Sequence, residues 1–183
     1  MTEEIVKSEY LYRGSLLKLR LDQVRLTDRR NRIVAREIVE HPGAVAIVAL
    51  DDKERVLLVR QHRAGAGREL LEIPAGTLEI GEDPALCATR ELKEETGYYA
   101  TKLENLGIFY SSPGFSTEQM HLFFARDLTP SAPSPEDDEA ISVELMPFPN
   151  VIALVEQGKI MDAKSIVGLA LVWLRLKGIR PQK

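Results

Sequence analysis

The sequence predicts an α/β protein, and three observations carry that reading. The first third of the chain is built of short alternating or β-branched runs, the signature of strands. Two later segments carry complete helix punctuation, an acidic cap in front and a glycine behind. The 183 residues, 44% hydrophobic and 28% charged, suffice for one real core.

The elements follow in order. Leu17, Leu19 and Leu21 alternate with Lys18, Arg20 and Asp22, which puts the leucines on one face of a period-2 element, and Asp28-Arg29-Arg30-Asn31 interrupts it as a polar turn. Ile33–Val39, Val45–Leu50 and Val56–Val59 are further strand runs; Asp51-Asp52-Lys53 has hairpin length, so an antiparallel sheet is the economical result. Asp83 caps a helix over Pro84–Thr96 with proline at its first position and Gly97 as its stop. Thr129–Glu139 holds Pro130, Pro133 and Pro135 and then four acids, a composition for a mobile loop rather than a central strand. A short helix is expected over Val151–Gln157, ended by Gly158, and a terminal helix from Ala163 to about Lys177, capped by Asp162 and stopped by Gly178. The terminal helix is apolar nearly all round, from Ile166 to Leu174, which predicts burial on more than one side.

Composition excludes several classes of function. Net charge is -4, so there is no global basic field for a nucleic-acid backbone, and no nucleic-acid partner is expected. The longest apolar run, Ile166–Leu174, is far short of the ~20 residues that cross a bilayer, so no membrane partner is expected either. Met1–Tyr10 carries three glutamates instead of a basic and then apolar leader, and the single Cys87 cannot form an intrachain disulfide; a cytoplasmic protein is expected. Cys87 has no companion for nucleophilic catalysis, and His41, His62 and His121 lack zinc-site spacing.

The chemistry is concentrated in one stretch. Glu91, Glu94 and Glu95 stand at i, i+3 and i+4, so three carboxylates share adjoining parts of one helix face. They repel one another and sit toward the helix C-terminus, where the macrodipole disfavours anions. A hard divalent cation is the direct way to offset both, since Mg²⁺ binds through a few carboxylates and bridges to substrate phosphates. A solvated acidic face with local pairs from Arg90 and Lys93 is the plainer alternative. The wider pattern decides between them. Gly76, five residues, Glu82, seven residues, and then Arg90-Glu91-Leu92-Lys93-Glu94-Glu95-Thr96-Gly97 fixes seven identities, whose chance occurrence in one chain is on the order of one in a million.

This segment matches the Nudix box at all seven fixed identities, and the chain resembles the Nudix hydrolases. The resemblance implies an α/β/α sandwich around a mixed β-sheet. It implies a Mg²⁺ site, with Mn²⁺ as a possible substitute, in which Glu91 and Glu95 are the main ligands, Glu94 a further ligand or water-orienting group, and the Ala75 carbonyl a backbone ligand. Glu82 and Arg90 would brace the loop against the helix. Pro113 lies 16 residues after Gly97 in Ser111-Ser112-Pro113-Gly114-Phe115-Ser116-Thr117-Glu118, a spacing and sequence similar to the ADP-ribose pyrophosphatase branch. Arg36-Glu37-Ile38, Gln61-His62-Arg63 and Leu71-Glu72-Ile73-Pro74-Ala75-Gly76 also have counterparts there.

That branch implies roles for the remaining residues. Arg36, Arg63, Glu72, Ser112, Pro113, Gly114 and Glu118 would bind substrate; a guanidinium offers phosphate a bidentate fork that Lys cannot match. The branch uses a loop Glu just before the last strand as the base that activates water, which points to Glu139, with Glu136 and Asp137 as alternates. Residues 43–183 would be the hydrolase domain and 1–42 an N-terminal antiparallel β element, with a homodimer formed through Tyr10–Leu21 and Arg25–Arg30. The expected reaction is metal-dependent hydrolysis of ADP-ribose to AMP and ribose 5-phosphate. The rivals are a broader nucleoside diphosphate sugar hydrolase acting on ADP-glucose or GDP-mannose, and a non-catalytic ADP-ribose sensor, against which the complete set Glu91, Glu94 and Glu95 argues.

Overall fold

A computed structural model describes residues 2–27, 32–131 and 141–179. The turn expected at Asp28–Asn31 and the acids Glu136, Asp137 and Glu139 lie outside the described residues. The chain divides into two compact units, Met1–Gly43 with Tyr110–Gln119, and Ala44–Phe109 with Met120–Lys183.

The first unit holds an antiparallel sheet in the order β1 (Glu3–Arg13), β2 (Lys18–Leu26), β3 (Ile33–Glu40). Leu19 and Leu21 share a face of β2 as expected, but they are only half-buried; Asp22, Val24 and Leu26 on the opposite face are the buried ones. A period of two says which residues share a face, not which face is covered. Buried Asp22 is satisfied by Ser8 Oγ at 2.5 Å and Arg20 Nε at 2.8 Å, and Arg20 also pairs with Glu40. The sequence reading assigned no strand to Glu3–Arg13. Its charges fall on both faces, and its register shifts near Ile5/Lys7 and Tyr10/Tyr12, features suited to an edge strand.

The second unit contains β4 (Ala44–Leu50), β5 (Arg55–Arg63), β6 (Arg68–Glu72), β7 (Ala75–Thr77), α1 (Pro84–Thr96), β8 (Tyr98–Tyr110), β9 (Gln119–Pro130), β10 (Ser142–Pro147), α2 (Phe148–Glu156) and α3 (Ala163–Leu176). The sheet runs β10-β5-β4-β9-β8, with β6 on β5 and β7 on β4. The β4–β5 hairpin is antiparallel, whereas β4 and β9 are parallel, so the sheet is mixed rather than purely antiparallel. β9 escaped the sequence reading because Met120–Ala125 is a short apolar run, which periodicity alone cannot separate from buried helix. Thr129 and Pro130, expected in the loop, end β9, where a proline costs no ladder bond.

Alternation along β4 builds a core on each side of the sheet. Val45, Ile47 and Ala49 meet Cys87, Ala88 and Leu92 of α1, while Ala46, Val48 and Leu50 meet Val151 of α2 and Leu169 and Val172 of α3. This is an α/β/α arrangement around a mixed sheet. α2 starts at Phe148, three residues before the expected Val151, because Pro149 suits an early helical position and Phe148 packs edge-on against Trp173 at 5.3 Å. α3 corrects the sequence reading. It buries one stripe, Ser165, Gly168, Leu169 and Val172, and leaves Leu171, Leu174 and Leu176 exposed. No helix among the described residues is long and apolar enough to cross a membrane.

Candidate active site

α1 forms as its ends dictate. Asp83 Oδ1 accepts from the N–H groups of Ala85 (2.9 Å) and Leu86 (3.2 Å), and Gly97, in the left-handed region at φ 69°, donates to the Lys93 carbonyl. Cys87, Ala88 and Leu92 bind this helix to the sheet, which turns Arg90, Glu91, Glu94 and Glu95 toward the segment after β6. A cleft of about 330 Å³ there is lined by Arg63, Ala75, Gly76, Arg90, Glu91, Glu94 and Glu95, with Thr77 to Glu79 completing it.

Arg90 organises the acids. It binds Glu82 through two parallel bonds of 3.0 Å, and its Nη1 lies 2.8 Å from Glu91 and 3.0 Å from Glu94. The hydrogen bonds from Arg90, with a further one from the Glu79 N–H, hold Glu82 down to about 2. Glu95, nearly buried, accepts from the Ala75 N–H at 3.0 Å, which ties helix to strand β7. Burial and the nearby Glu82 push the Cys87 thiol up to about 12, so it stays protonated and unreactive.

Among the described residues no three His, Cys, Asp or Glu side chains already form a metal cage; Arg90 bridges Glu91 and Glu94 instead. The residues nonetheless fit a hard divalent cation. The donors are carboxylate and carbonyl oxygens, and Gly76 stands so close to Glu91 that a Cβ there would fall 1.8 Å from the carboxylate carbon. Only glycine leaves that cradle open.

A NUDIX domain model matches residues 40–166. The chain belongs to the Nudix family. Nudix hydrolases are generally divalent-metal dependent, in keeping with the donor set. The chain is 40% identical to an ADP-ribose pyrophosphatase of Bacillus subtilis (strain 168), across 97% of this chain and 95% of the relative. It is 35% identical to a methanol dehydrogenase activator of Bacillus methanolicus, across 94% of each. A crystal structure of an ADP compounds hydrolase shares the Nudix fold with a TM-score of 0.84, 24% identity and 98% coverage of both chains.

The expected Nudix site residues fall into both units. Arg63, Glu72, Ala75, Glu82, Arg90, Glu91, Glu94 and Glu95 belong to the second, and all but Glu72 and Glu82 line the cleft. Glu72 was expected to touch substrate, but its side chain is 1% exposed and its carboxylate is taken by Arg63 and Lys164. Burial alone would raise the Glu72 carboxyl; the two cations outweigh it and lower it. In the first unit Arg36 pairs with Glu3 at 2.5 Å, and Glu118 accepts from Ser111 Oγ at 2.5 Å and lies 3.8 Å from His41 Nε2. Ser112, Pro113 and Gly114 form a turn in which the Ser112 carbonyl accepts from Phe115 and Ser116. Glu139 lies outside the described residues.

The sequence reading missed Lys164. It is the second residue of α3, where the macrodipole disfavours a cation. A lysine at that end of a helix needs a carboxylate partner, and that signal was legible.

Proposed function

We propose that the protein hydrolyses the diphosphate of ADP-ribose to AMP and ribose 5-phosphate by attack of water at phosphorus. The observation that carries this reading is the gathering of Glu91, Glu94 and Glu95 in one cleft with Gly76, in a chain alike over almost its whole length to an ADP-ribose pyrophosphatase. Glu91, Glu95 and the Ala75 carbonyl would hold Mg²⁺, with Glu94 as a further ligand and Mn²⁺ as a substitute. A bound divalent ion supplies charge neutralisation on the diphosphate and a lowered pKa for water.

The chain's own residues do the rest. Arg63 uses Nε and Nη2 on Glu72, and no partner for its Nη1 is found among the described residues, so that nitrogen is the donor for a diphosphate oxygen. Glu139 takes the proton of the attacking water. Arg36, Ser112, Pro113, Gly114 and Glu118 remain the candidates for further substrate contacts. The N-terminal β element carries exposed Ile5, Val6, Leu11 and Tyr12, an apolar surface suited to a homodimer contact in a cytoplasmic enzyme.

Phosphate release coupled to alkaline phosphatase, over ADP-ribose, ADP-glucose, GDP-mannose and dGTP with Mg²⁺ or Mn²⁺, tests the reading. ADP-ribose is expected to give the highest kcat/KM. Faster turnover of GDP-mannose would make the protein a broader sugar-nucleotide hydrolase, and tight ADP-ribose binding without turnover would make it a sensor.

A further inference from the structure

Two residues at the start of α3, Lys164 and Ser165, grip the strand end that leads into the cleft, and Asp162 braces both. The Ser165 hydroxyl, fully buried, accepts the Ile73 N–H at 2.8 Å. Lys164 Nζ lies 2.5 Å from Glu72 Oε2 and 2.9 Å from Asp162 Oδ1. Arg63 meets the same Glu72 oxygen through Nη2 at 2.8 Å, with Nε 3.2 Å from both carboxylate oxygens. Asp162 Oδ2 is buried with no hydrogen-bond partner among the described residues. Three carboxylates therefore act on Arg63: Glu72 and Asp162, which it shares with Lys164, and Glu95, which lines the cleft. Of the two cations only Arg63 lines the cleft.

We propose that Lys164 is a positioning residue: by sharing the buried Glu72 carboxylate with Arg63, it sets how the Arg63 guanidinium presents its Nη1 edge to the substrate diphosphate. The claim rests on the reading of the cleft as a diphosphate site. Lys164 and Arg63 compete for the same carboxylate charge. With Lys164 present, Glu72 and Asp162 are neutralised from the α3 side, and Arg63 is held by one edge only. Without it, Arg63 is the remaining cation for both carboxylates, whose burial makes an uncompensated charge costly. Arg63 is then drawn toward Glu72 and Asp162, against the opposing pull of Glu95 in the cleft. Ser165 ties the first turn of α3 to Ile73, and the Asp162 cap holds that turn, which opposes a backbone shift that would restore the balance.

The test compares Lys164→Met, Lys164→Arg, Glu72→Gln and the Lys164→Met/Glu72→Gln double variant. If Lys164 acts through Glu72 on substrate binding, Lys164→Met raises KM for ADP-ribose by about 10-fold with kcat within about 3-fold of wild type. Lys164→Arg restores most of the loss. In the Glu72→Gln background the Lys164 effect on KM shrinks to within about 2-fold, as non-additivity requires of residues acting in one network. A purely structural lysine would lower Tm and leave KM alone, and an unchanged KM in Lys164→Met overturns the proposal. Should Lys164→Met not fold, Lys164→Gln, which keeps an N–H donor group but no charge, takes its place with the same expectation.

A second measurement needs no turnover. The Arg63 Nε–H signal in NMR, assigned by its loss in Arg63→Lys, should be sharp in the wild type and exchange-broadened in Lys164→Met. If the wild type cleaves no nucleoside diphosphate sugar, the reading of its function falls, and this signal alone decides: unchanged in Lys164→Met, it overturns the positioning role.

Discussion

Gly76 and Glu91 occupy what would otherwise be one volume: a Cβ on residue 76 would lie 1.8 Å from Glu91 Cδ and 2.1 Å from its Oε1. The obstructed atoms are the far end of a flexible side chain, so Gly76→Ala forces Glu91 to swing out rather than the backbone to break. The expected result is a folded protein whose divalent-ion affinity falls by about 10- to 100-fold, the range seen when supporting groups of a metal site are disturbed. Titration calorimetry with Mn²⁺, alongside a thermal melt, checks both halves.

Glu95 couples the helix to β7 through the Ala75 N–H and faces the cleft. Glu95→Gln keeps that acceptor while removing the charge. Turnover is expected to fall by about 100-fold or more, with circular dichroism unchanged. A chelator should do the same to the wild type, reversibly. Activity near the wild-type rate in Glu95→Gln would remove this residue from the ligand set.

Arg90 holds Glu82 down to about 2 from an ordinary 4.5, so Glu82 binds its proton less readily in the folded state than in the unfolded one. The stability this contributes is fully present above about 4.5 and is lost as pH falls through about 2. Glu82→Gln should therefore flatten the pH dependence of unfolding within that window and leave its slope near neutral pH unchanged. Urea melts from pH 2 to 7 measure it.

On the other side of the sheet, a Cβ at Gly168 would lie 2.9 Å from Val48 Cγ2 and 3.0 Å from Ile73 and Leu122 methyl carbons. Alanine gains about 1 kcal/mol in helix propensity over glycine, but overpacking a filled core costs about 1–3 kcal/mol. Val48 is stiff, so the cost wins, and Gly168→Ala is expected to lower Tm by a few degrees, with Gly168→Val lower still. A higher Tm in Gly168→Ala would mean that α3 can move away from the sheet at little cost.

The legible parts of this molecule were those written in local chemistry. Asp83, Pro84 and Gly97 delimit α1 to the residue, and the box spacing alone puts the three carboxylates on one helix face. What escaped was whatever depends on distant neighbours. The leucines of β2 alternate correctly yet face the less buried side, because coverage is supplied by other segments. Leu171 and Leu174 read as buried since an apolar helix face says nothing about whether a partner covers it. The substrate role expected of Glu72 came from the family resemblance; only the fold brings Lys164 against its carboxylate from the far end of the chain.

β4 is completely apolar, buried on both faces, and its parallel neighbour is Met120–Ala125 of β9. During synthesis that neighbour arrives long after β4 has left the ribosome, whereas the β1–β2 hairpin needs only adjacent residues. For that interval β4 is a seven-residue sticky strand with one edge unpaired, the type of segment that seeds aggregation. Yield in a cell should therefore respond to translation speed and to holdase chaperones.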